Sequence, residues 1–390
     1  MYKGAIIMNH PLPRGWNEVK LKDIGEILGG GTPSTANKEY WNGDILWVTP
    51  TEVTALKTKY LYDTERKITE LGLKNSSAKM IKPNSLIICT RATIGDCCIN
   101  KKEISTNQGF KSITPNNNYD VVFLYYLINY NRNLLIANSS GSTFLEISKS
   151  NLENLSFYFP PIDEQKRIAE VLSLCDKLIE NLTKLIEKKE IYKKGVMQRV
   201  LTGKVRFNGF KDEWREINLR DIVEEYSIPN TNKLKQYTIG KNGIKELDDF
   251  RHSIDKHKVF KKNDLIVGIG IDEINVNINL DYGCCSPVYR VYSINTNLLN
   301  PKFGYFYIRK AIDRIKNKIT RKSTRREFEF DHKEFIKYSI LLPSLEEQNK
   351  IAELLTLIDK DIEILKQLLH LRKLQKKGVM QKLLTGEVRI

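Results

Sequence analysis

Residues 164–207, EQKRIAEVLSLCDKLIENLTKLIEKKEIYKKGVMQRVLTGKVRF, return at residues 347–390 as EQNKIAELLTLIDKDIEILKQLLHLRKLQKKGVMQKLLTGEVRI, without a gap and with about half the positions identical. In the first copy apolar residues fall at Ile168, Val171, Leu172, Cys175, Leu178, Ile179, Leu182, Leu185 and Ile186, and in the second at Ile351, Leu354, Leu355, Ile358, Ile362, Leu365, Leu368, Leu369, Leu371 and Leu374. Steps of three and four sustained over several turns predict a helix, and Val171, Leu178 and Leu185 share one heptad position. Both copies start just after a proline, Pro161 or Pro343, and Ser344 with Glu347 has capping-box spacing. Both close on Leu-Thr-Gly, where Gly203 and Gly386 can take the left-handed conformation that stops a helix. From Asp163 to Leu201 such a helix is roughly 55–60 Å long at about 1.5 Å per residue.

A helix that long cannot bury its apolar stripe against a small head alone. The two copies are therefore expected to pack on each other as an antiparallel coiled coil with the heads at opposite ends. In the second copy the stripe is wider than a narrow seam, which implies a further neighbour. We expect a partner protein to dock on Ile168, Leu172, Ile179, Leu182, Ile351, Leu355, Ile362 and Leu365; the plainer alternative is a coiled coil that only dimerises. Repetition of the helix makes this region pseudo-twofold symmetric, so two copies of one partner can bind.

Working outward, a second echo appears. Trp16-Asn17-Glu18-Val19-Lys20-Leu21-Lys22-Asp23-Ile24 returns as Trp214-Arg215-Glu216-Ile217-Asn218-Leu219-Arg220-Asp221-Ile222. The chain is a tandem repeat of one module. The expected domains are a head at 1–160, a helical spacer at 161–206, a second head at 207–342 and a second spacer at 343–390, in a chain whose 390 residues suffice for both cores. Lys79–Ile88 and Lys258–Val267 each read as a turn feeding a buried strand. Phe123–Ile128 and Phe303–Ile308 read as helices whose aromatics serve the core more than base stacking. The fold class is α+β, with a twisted or barrel-like sheet in each head.

The formal net charge of +16 makes a polyanion the default partner. Arg309 to Arg326 holds nine Lys/Arg against one acid, Asp313. Such a run is ordinarily a solvated face; the overall excess turns the reading toward phosphate contact. The six cysteines, Cys89, Cys97, Cys98, Cys175, Cys284 and Cys285, lack zinc spacing and are expected to be buried free thiols in a reducing cytoplasm. Gly4–Met8 is too short for a signal peptide's apolar region, Met8 is an alternative start, and no segment reaches transmembrane length, so no membrane partner is expected.

Candidate base readers are polar residues in loops. In the first head they are Arg91, Thr93, Asn107, Gln108, Lys111, Ser142 and Thr143. In the second they are Arg251, His252, Arg290, Arg321, Lys322, Thr324, Arg325 and Arg326. Arg suits the O6 and N7 of guanine, and Asn or Gln the N6 and N7 of adenine. A solvent-exposed Arg or a turn-forming Asn explains each one alone as well. Gly29-Gly30-Gly31-Thr32-Pro33-Ser34, with Tyr40-Trp41, reads as a tight glycine turn, without the lysine of a P-loop. Gly268-Ile269-Gly270 has Glu273 where the dinucleotide fingerprint needs glycine. No nucleophile–base pair and no metal set is evident. Glu164-Gln165-Lys166 recurs as Glu347-Gln348-Asn349, and losing the lysine assigns this motif to structure rather than catalysis.

The duplicated Glu-Gln-x-x-Ile-Ala-Glu openings and Lys-Lys-Gly-Val-Met-Gln…Leu-Thr-Gly closings resemble those of the specificity subunit of type I restriction–modification systems. The segment from Gly30 to Pro50 and the Thr106-Asn107-Gln108-Gly109 turn are similar to one class of target-recognition domain. The second head has Gly283-Cys284-Cys285-Ser286-Pro287 in place of that turn. The resemblance implies a non-catalytic subunit that reads a bipartite, asymmetric site in double-stranded DNA. Duplex geometry adds that, with both heads on one side, half-site centres are expected about 10 bp apart. It also implies two modification subunits that bind S-adenosylmethionine and methylate a flipped adenine in each half. Restriction subunits would add ATP- and Mg-dependent translocation and cleavage, so this chain itself needs no cofactor. A stand-alone nuclease or methyltransferase with a cryptic site, and a coiled-coil scaffold, are the competing readings.

Overall fold

The computed structural model describes residues 12–141, 145–231, 234–240, 243–247, 256–269, 274–278, 282–321 and 329–390. The chain divides into two compact units, one of residues 1–182 with 368–390 and one of residues 183–367. Each unit holds one head, the opening part of the long helix that follows that head, and the closing part of the other repeat's long helix.

In the first unit a five-stranded sheet runs in the order Gly25–Gly29, Phe110–Pro115, Leu86–Cys89, Cys97–Asn100, Tyr60–Leu61. A three-stranded sheet joins Lys67–Ile68, Trp41–Val48 and Ser105–Thr106. The second unit repeats the plan. Val223–Tyr226, Arg290–Ile294, Leu265–Ile269 and Ile274–Ile278 form one four-stranded sheet, and Gly243–Glu246, Gln236–Gly240, Gly283–Cys285 and Lys258–Phe260 another. Each head thus carries more than one sheet where the sequence suggests one, with two-stranded ribbons besides these. A parallel pair joins Trp47↔Ser105 and Val48↔Thr106 in the first head, and Gln236↔Cys284 and Tyr237↔Cys285 in the second.

The apolar runs Leu86–Cys89 and Leu265–Val267 are buried as central strands. Each is entered through an asparagine in the left-handed region, Asn84 at φ 59° and Asn263 at φ 70°, a conformation Asn tolerates better than most residues. The head helices Val121–Tyr130 and Pro301–Ile315 start on Asp120 and Asn300, whose side chains accept from the N–H of Phe123 and Phe303. Phe123, Tyr126, Phe303 and Phe306 are buried in the core, as expected.

The long helices span Ile162–Val200 and Leu345–Leu384. They stop where Gly203 and Gly386 take φ of 69° and 72°. At the second start Ser344 caps the N–H of Glu347, but Glu347 does not close a capping box. Its buried carboxylate takes the guanidinium of Arg206 instead, Oε1 from Nε at 2.9 Å and Oε2 from Nη2 at 2.7 Å. The first repeat does the same in the other unit: Glu164 receives Nε of Arg389 at 3.1 Å and Nη2 at 2.7 Å. The same guanidinium groups reach the carbonyl oxygens of Asp212 and Arg14, two residues before Trp214 and Trp16. Beside each glutamate a buried glutamine staples the helix start to the loop entering the head helix. Gln165 accepts from Asp120 N and donates to Pro160 O; Gln348 accepts from Asn300 N and donates to Pro343 O. The Glu-Gln motif is structural, and its carboxylate is compensated by a bidentate arginine.

Within each unit the helices pair in opposite senses. In the first, Asp176 meets Lys376 at 2.5 Å, while Glu164 meets Arg389 further along. In the second, Lys189 and Lys193 meet Asp361 and Asp359, and Glu190 meets Lys366. The buried seam corrects the sequence reading. It follows Ile168, Leu172, Cys175, Ile179, Leu182 and Ile186 in the first helix and Ile351, Leu355, Ile358, Ile362, Leu365 and Leu369 in the second, with no exposed member. All eight residues expected to dock a partner lie on this seam. Ile168, Leu172, Ile351, Leu355 and Ile362 are buried, and Ile179, Leu182 and Leu365 are half-buried. The wide stripe is satisfied by a head and the other helix together. Val171, Leu178 and Leu185, which share a heptad position, face outward.

Candidate nucleic-acid interface

In the first head two distant motifs meet edge to edge. Gly30 and Gly31 are not in a turn: Gly30 lies against Thr106 and Asn107, and Gly31 N donates to Thr106 O at 2.8 Å. A Cβ on Gly30 would lie 1.9 Å from the carbonyl oxygen of Asn107, so glycine is required there for close backbone approach. Trp47 Nε1 donates to Gly31 O at 3.0 Å and Trp41 Nε1 to Ser34 O at 3.1 Å, while the two indoles pack edge to face with centroids 5.0 Å apart. Asn107 N donates to Val48 O, and Asn107 Oδ1 accepts from Gly109 N at 2.9 Å, which closes the turn that presents Gln108. The Thr32 hydroxyl donates to Gln108 Oε1.

Thr90, next to Arg91, bonds the carbonyl of Gly109 through both its N–H and its hydroxyl. That bond sets Arg91 beside the Asn107–Gly109 turn. Arg91 Nε lies 2.8 Å from Glu146 Oε2, and the two backbones form a bridge. Lys111 is half-buried, and the loss of solvent pulls its pKa below the usual lysine value, with Glu146 opposing that shift. The fold therefore gathers Arg91, Asn107, Gln108 and Lys111 at one edge. Thr93 turns inward, its hydroxyl buried without a partner. Ser142 and Thr143 lie outside the described residues. Thr32 and Glu146 belong to the edge and were not identified from sequence. Glu146 carries no local signal, and Thr32 stands in a glycine segment whose composition suggests a turn.

The model of the type I restriction modification DNA specificity domain matches residues 13–190 and 211–371. The chain belongs to this family. Among curated relatives it is 39% identical to the MjaIX specificity subunit of Methanocaldococcus jannaschii, over 52% of this chain and 46% of the relative. It is 34% identical to the Escherichia coli EcoR124I/EcoR124II specificity subunit, over 43% of each. In these two matches the chain spans just under half of the relative's length. The match to the MjaVIII specificity subunit of M. jannaschii, 24% identical, covers 97% of this chain and 94% of the relative. Solved specificity subunits have the same fold. That of M. genitalium superposes with a TM-score of 0.60 at 17% identity, covering 97% of this chain and 98% of the other. That of Thermoanaerobacter tengcongensis gives 0.51 at 18%, covering 97% and 99%.

The second head of this specificity-family chain builds the corresponding edge differently. Where Thr106 pairs with Val48, Cys284 and Cys285 pair with Gln236 and Tyr237. Both thiols are buried, and burial pushes them up to about 11 and about 12. Cys89 and Cys98 are likewise buried free thiols, while Cys97 and Cys175 are half-buried. Arg290 sits at 2.7 Å from Glu225 Oε1, whose other oxygen faces His332 Nε2 at 3.3 Å; Tyr292 stacks on that imidazole. Part of the basic run supports the fold: Arg309 bonds the Tyr305 hydroxyl, and Lys310 Nζ donates to the carbonyls of Met197 and Gln198 near the end of a long helix. Arg251, His252, Lys322, Thr324, Arg325 and Arg326 lie outside the described residues, as does the side chain of Arg321. Among the described residues, no group of three or more His, Cys, Asp or Glu could hold a metal ion, and no helix is long and apolar enough to cross a membrane.

Proposed function

We propose that this chain is the non-catalytic subunit that selects the DNA site of a type I restriction–modification complex. Each head reads one part of a bipartite, asymmetric duplex sequence, and the helices carry two modification subunits. The observation that carries this is a contrast within one repeat. The helix starts keep the same Glu-Gln-Arg joint in both units, while the strand pair at the candidate edge carries Thr106-Asn107-Gln108-Gly109 in one head and Cys284-Cys285-Ser286-Pro287 in the other. Joints kept and edges varied is the pattern of a frame that presents two different readers. The docking face we assign to the apolar side chains the seam leaves outside, chiefly Leu174 and Ile191 on the first helix and Leu357, Ile364 and Leu374 on the second. Leu174 with Leu357, and Ile191 with Leu374, are equivalent positions of the repeat, which suits two copies of one partner.

On this reading S-adenosylmethionine belongs to the modification subunits and ATP with Mg to the restriction subunits, all in the cytoplasm. The test is the profile of modified bases in cells carrying this chain with its methyltransferase, against the methyltransferase alone. A two-part motif with a modified adenine in each half, present only with this chain, is expected. Methylation without any such motif, from a confirmed complex, would overturn the reading in favour of a scaffold.

A further inference from the structure

We propose that Glu146 is a positioning residue that aims Arg91 at a guanine in the first half of the site, so that this ion pair decides one base of the target. The inference rests on the proposed DNA-selecting role and adds which residues discriminate, and how.

Arg91 is exposed at the rim of the candidate edge, beside the turn that presents Gln108. Its backbone is held from both sides. A tight turn follows it, with Ala92 at φ 54°, Thr93 N donating to Arg91 O at 2.6 Å and Gly95 N donating to Cys89 O at 3.0 Å. Across from it Glu146 forms a backbone bridge with Arg91, and Ser140 N and Glu146 N each donate to the other's carbonyl at 2.9 Å. The guanidinium meets Glu146 Oε2 through Nε at 2.8 Å. A guanidinium fixed at Nε has its plane set, and its terminal nitrogens are the ones that address O6 and N7 of guanine together. An untethered arginine would lose more rotamer freedom on making the same contact.

Charge decides between a base and a phosphate. A phosphate brought to Arg91 would approach the Glu146 carboxylate, and the like-charge repulsion would offset what the arginine contributes. The edge of a guanine carries neutral acceptors and meets no such repulsion. Lys111 stands in the field of the same acid, and a phosphate brought to it would meet the same repulsion.

The experiment uses the assembled complex with its modification subunits and four variants: R91A, R91K, E146A and E146Q. Modified-base profiles are read with each, together with competition binding to duplexes altered one base pair at a time. R91A and R91K should relax the motif at a single G·C position of one half, with discrimination there falling about 10–100-fold and the other half unchanged. R91K keeps the charge and loses the fork, so it tests the geometry even if R91A folds poorly. E146A should relax the same position without weakening total affinity, and E146Q, which still accepts from Nε, should restore part of the discrimination. A wild-type motif that none of the variants relaxes would overturn this proposal alone. So would uniform weakening across all positions with a shallower salt dependence, the signature of a phosphate anchor. A wild-type complex that directs no motif would remove the parent reading and this proposal with it.

Discussion

Where the first head carries Thr106, Asn107, Gln108 and Gly109, the second carries Cys284, Cys285, Ser286 and Pro287, each run beginning in a strand paired in the same parallel sense. Away from that edge the heads repeat each other closely. Both enter a central strand through a left-handed asparagine, both start the head helix on an Asx cap, and both have the start of their long helix clamped by an arginine from the closing motif of the other repeat. The difference shows how one scaffold accommodates two edges. Strand pairing is made by backbone groups and constrains side chains only through burial. The joints use side-chain charges in buried places, where a missing partner is costly. Edges are free to diverge and joints are not.

The comparison can be strained at several points. The largest effect should come from the buried helix seam that both units share. Leu172→Ala and Leu355→Ala remove equivalent, fully buried side chains, and each should cost about 2–5 kcal/mol in urea denaturation. Closely matched losses would sharpen the equivalence of the two units; a loss confined to one of them would break it. Next, Gly30→Ala forces Asn107 to move. It should lower discrimination in the first half-site by about tenfold or more while leaving the second half as it was; an equal loss in both halves would argue against separate readers. In the second head, replacing Arg321, Lys322, Arg325 and Arg326 with Ala should weaken binding and reduce the salt slope by about 0.9 for each phosphate no longer neutralised. An unchanged slope would make that run a solvated face.

The smallest effect concerns the turn before the central strand. The first head closes it with Ser85, whose hydroxyl donates to Lys82 O at 2.7 Å. The second closes it with Asp264, which accepts from Lys261 N at 2.5 Å and from the Tyr226 hydroxyl. Burial lifts the Asp264 carboxyl above the ordinary carboxylate value, with the Tyr226 and Lys261 hydrogen bonds opposing. A folded-state pKa above the unfolded one contributes stability that is full below the unfolded pKa and is lost as pH rises through the folded one. Denaturation midpoints followed from acid toward neutral pH should therefore show a decline in the second unit that Asp264→Asn abolishes. An unchanged profile in the variant would mean that Asp264 is not the group responsible.

The order of residues was enough to establish the tandem repeat, the two long helices with their proline starts and glycine stops, the α+β heads and the structural role of the Glu-Gln motif. These are periodicities and identities, and periodicity is a property of the chain itself. Which apolar line of each helix turns inward was not legible. Val171, Leu178 and Leu185 keep a regular spacing and face outward, while Ile168, Leu172 and Ile179 lie on the seam. A stripe wide enough for two seams leaves that choice to the neighbours it meets.

The candidate edge divides in the same way. Arg91, Asn107, Gln108 and Lys111 were recognisable one at a time from the chemistry of their side chains, and the glycines at 30 and 31 were visible as a run. Only the tertiary structure decided that Gly30 exists to let two backbones touch, that Gln108 is met by Thr32, and that Glu146 holds Arg91. Those contacts join residues far apart along the chain, and no local spacing encodes them. Sequence determined what the parts are, because propensity and repetition act locally; the fold determined which parts face each other, because burial and charge pairing act through space.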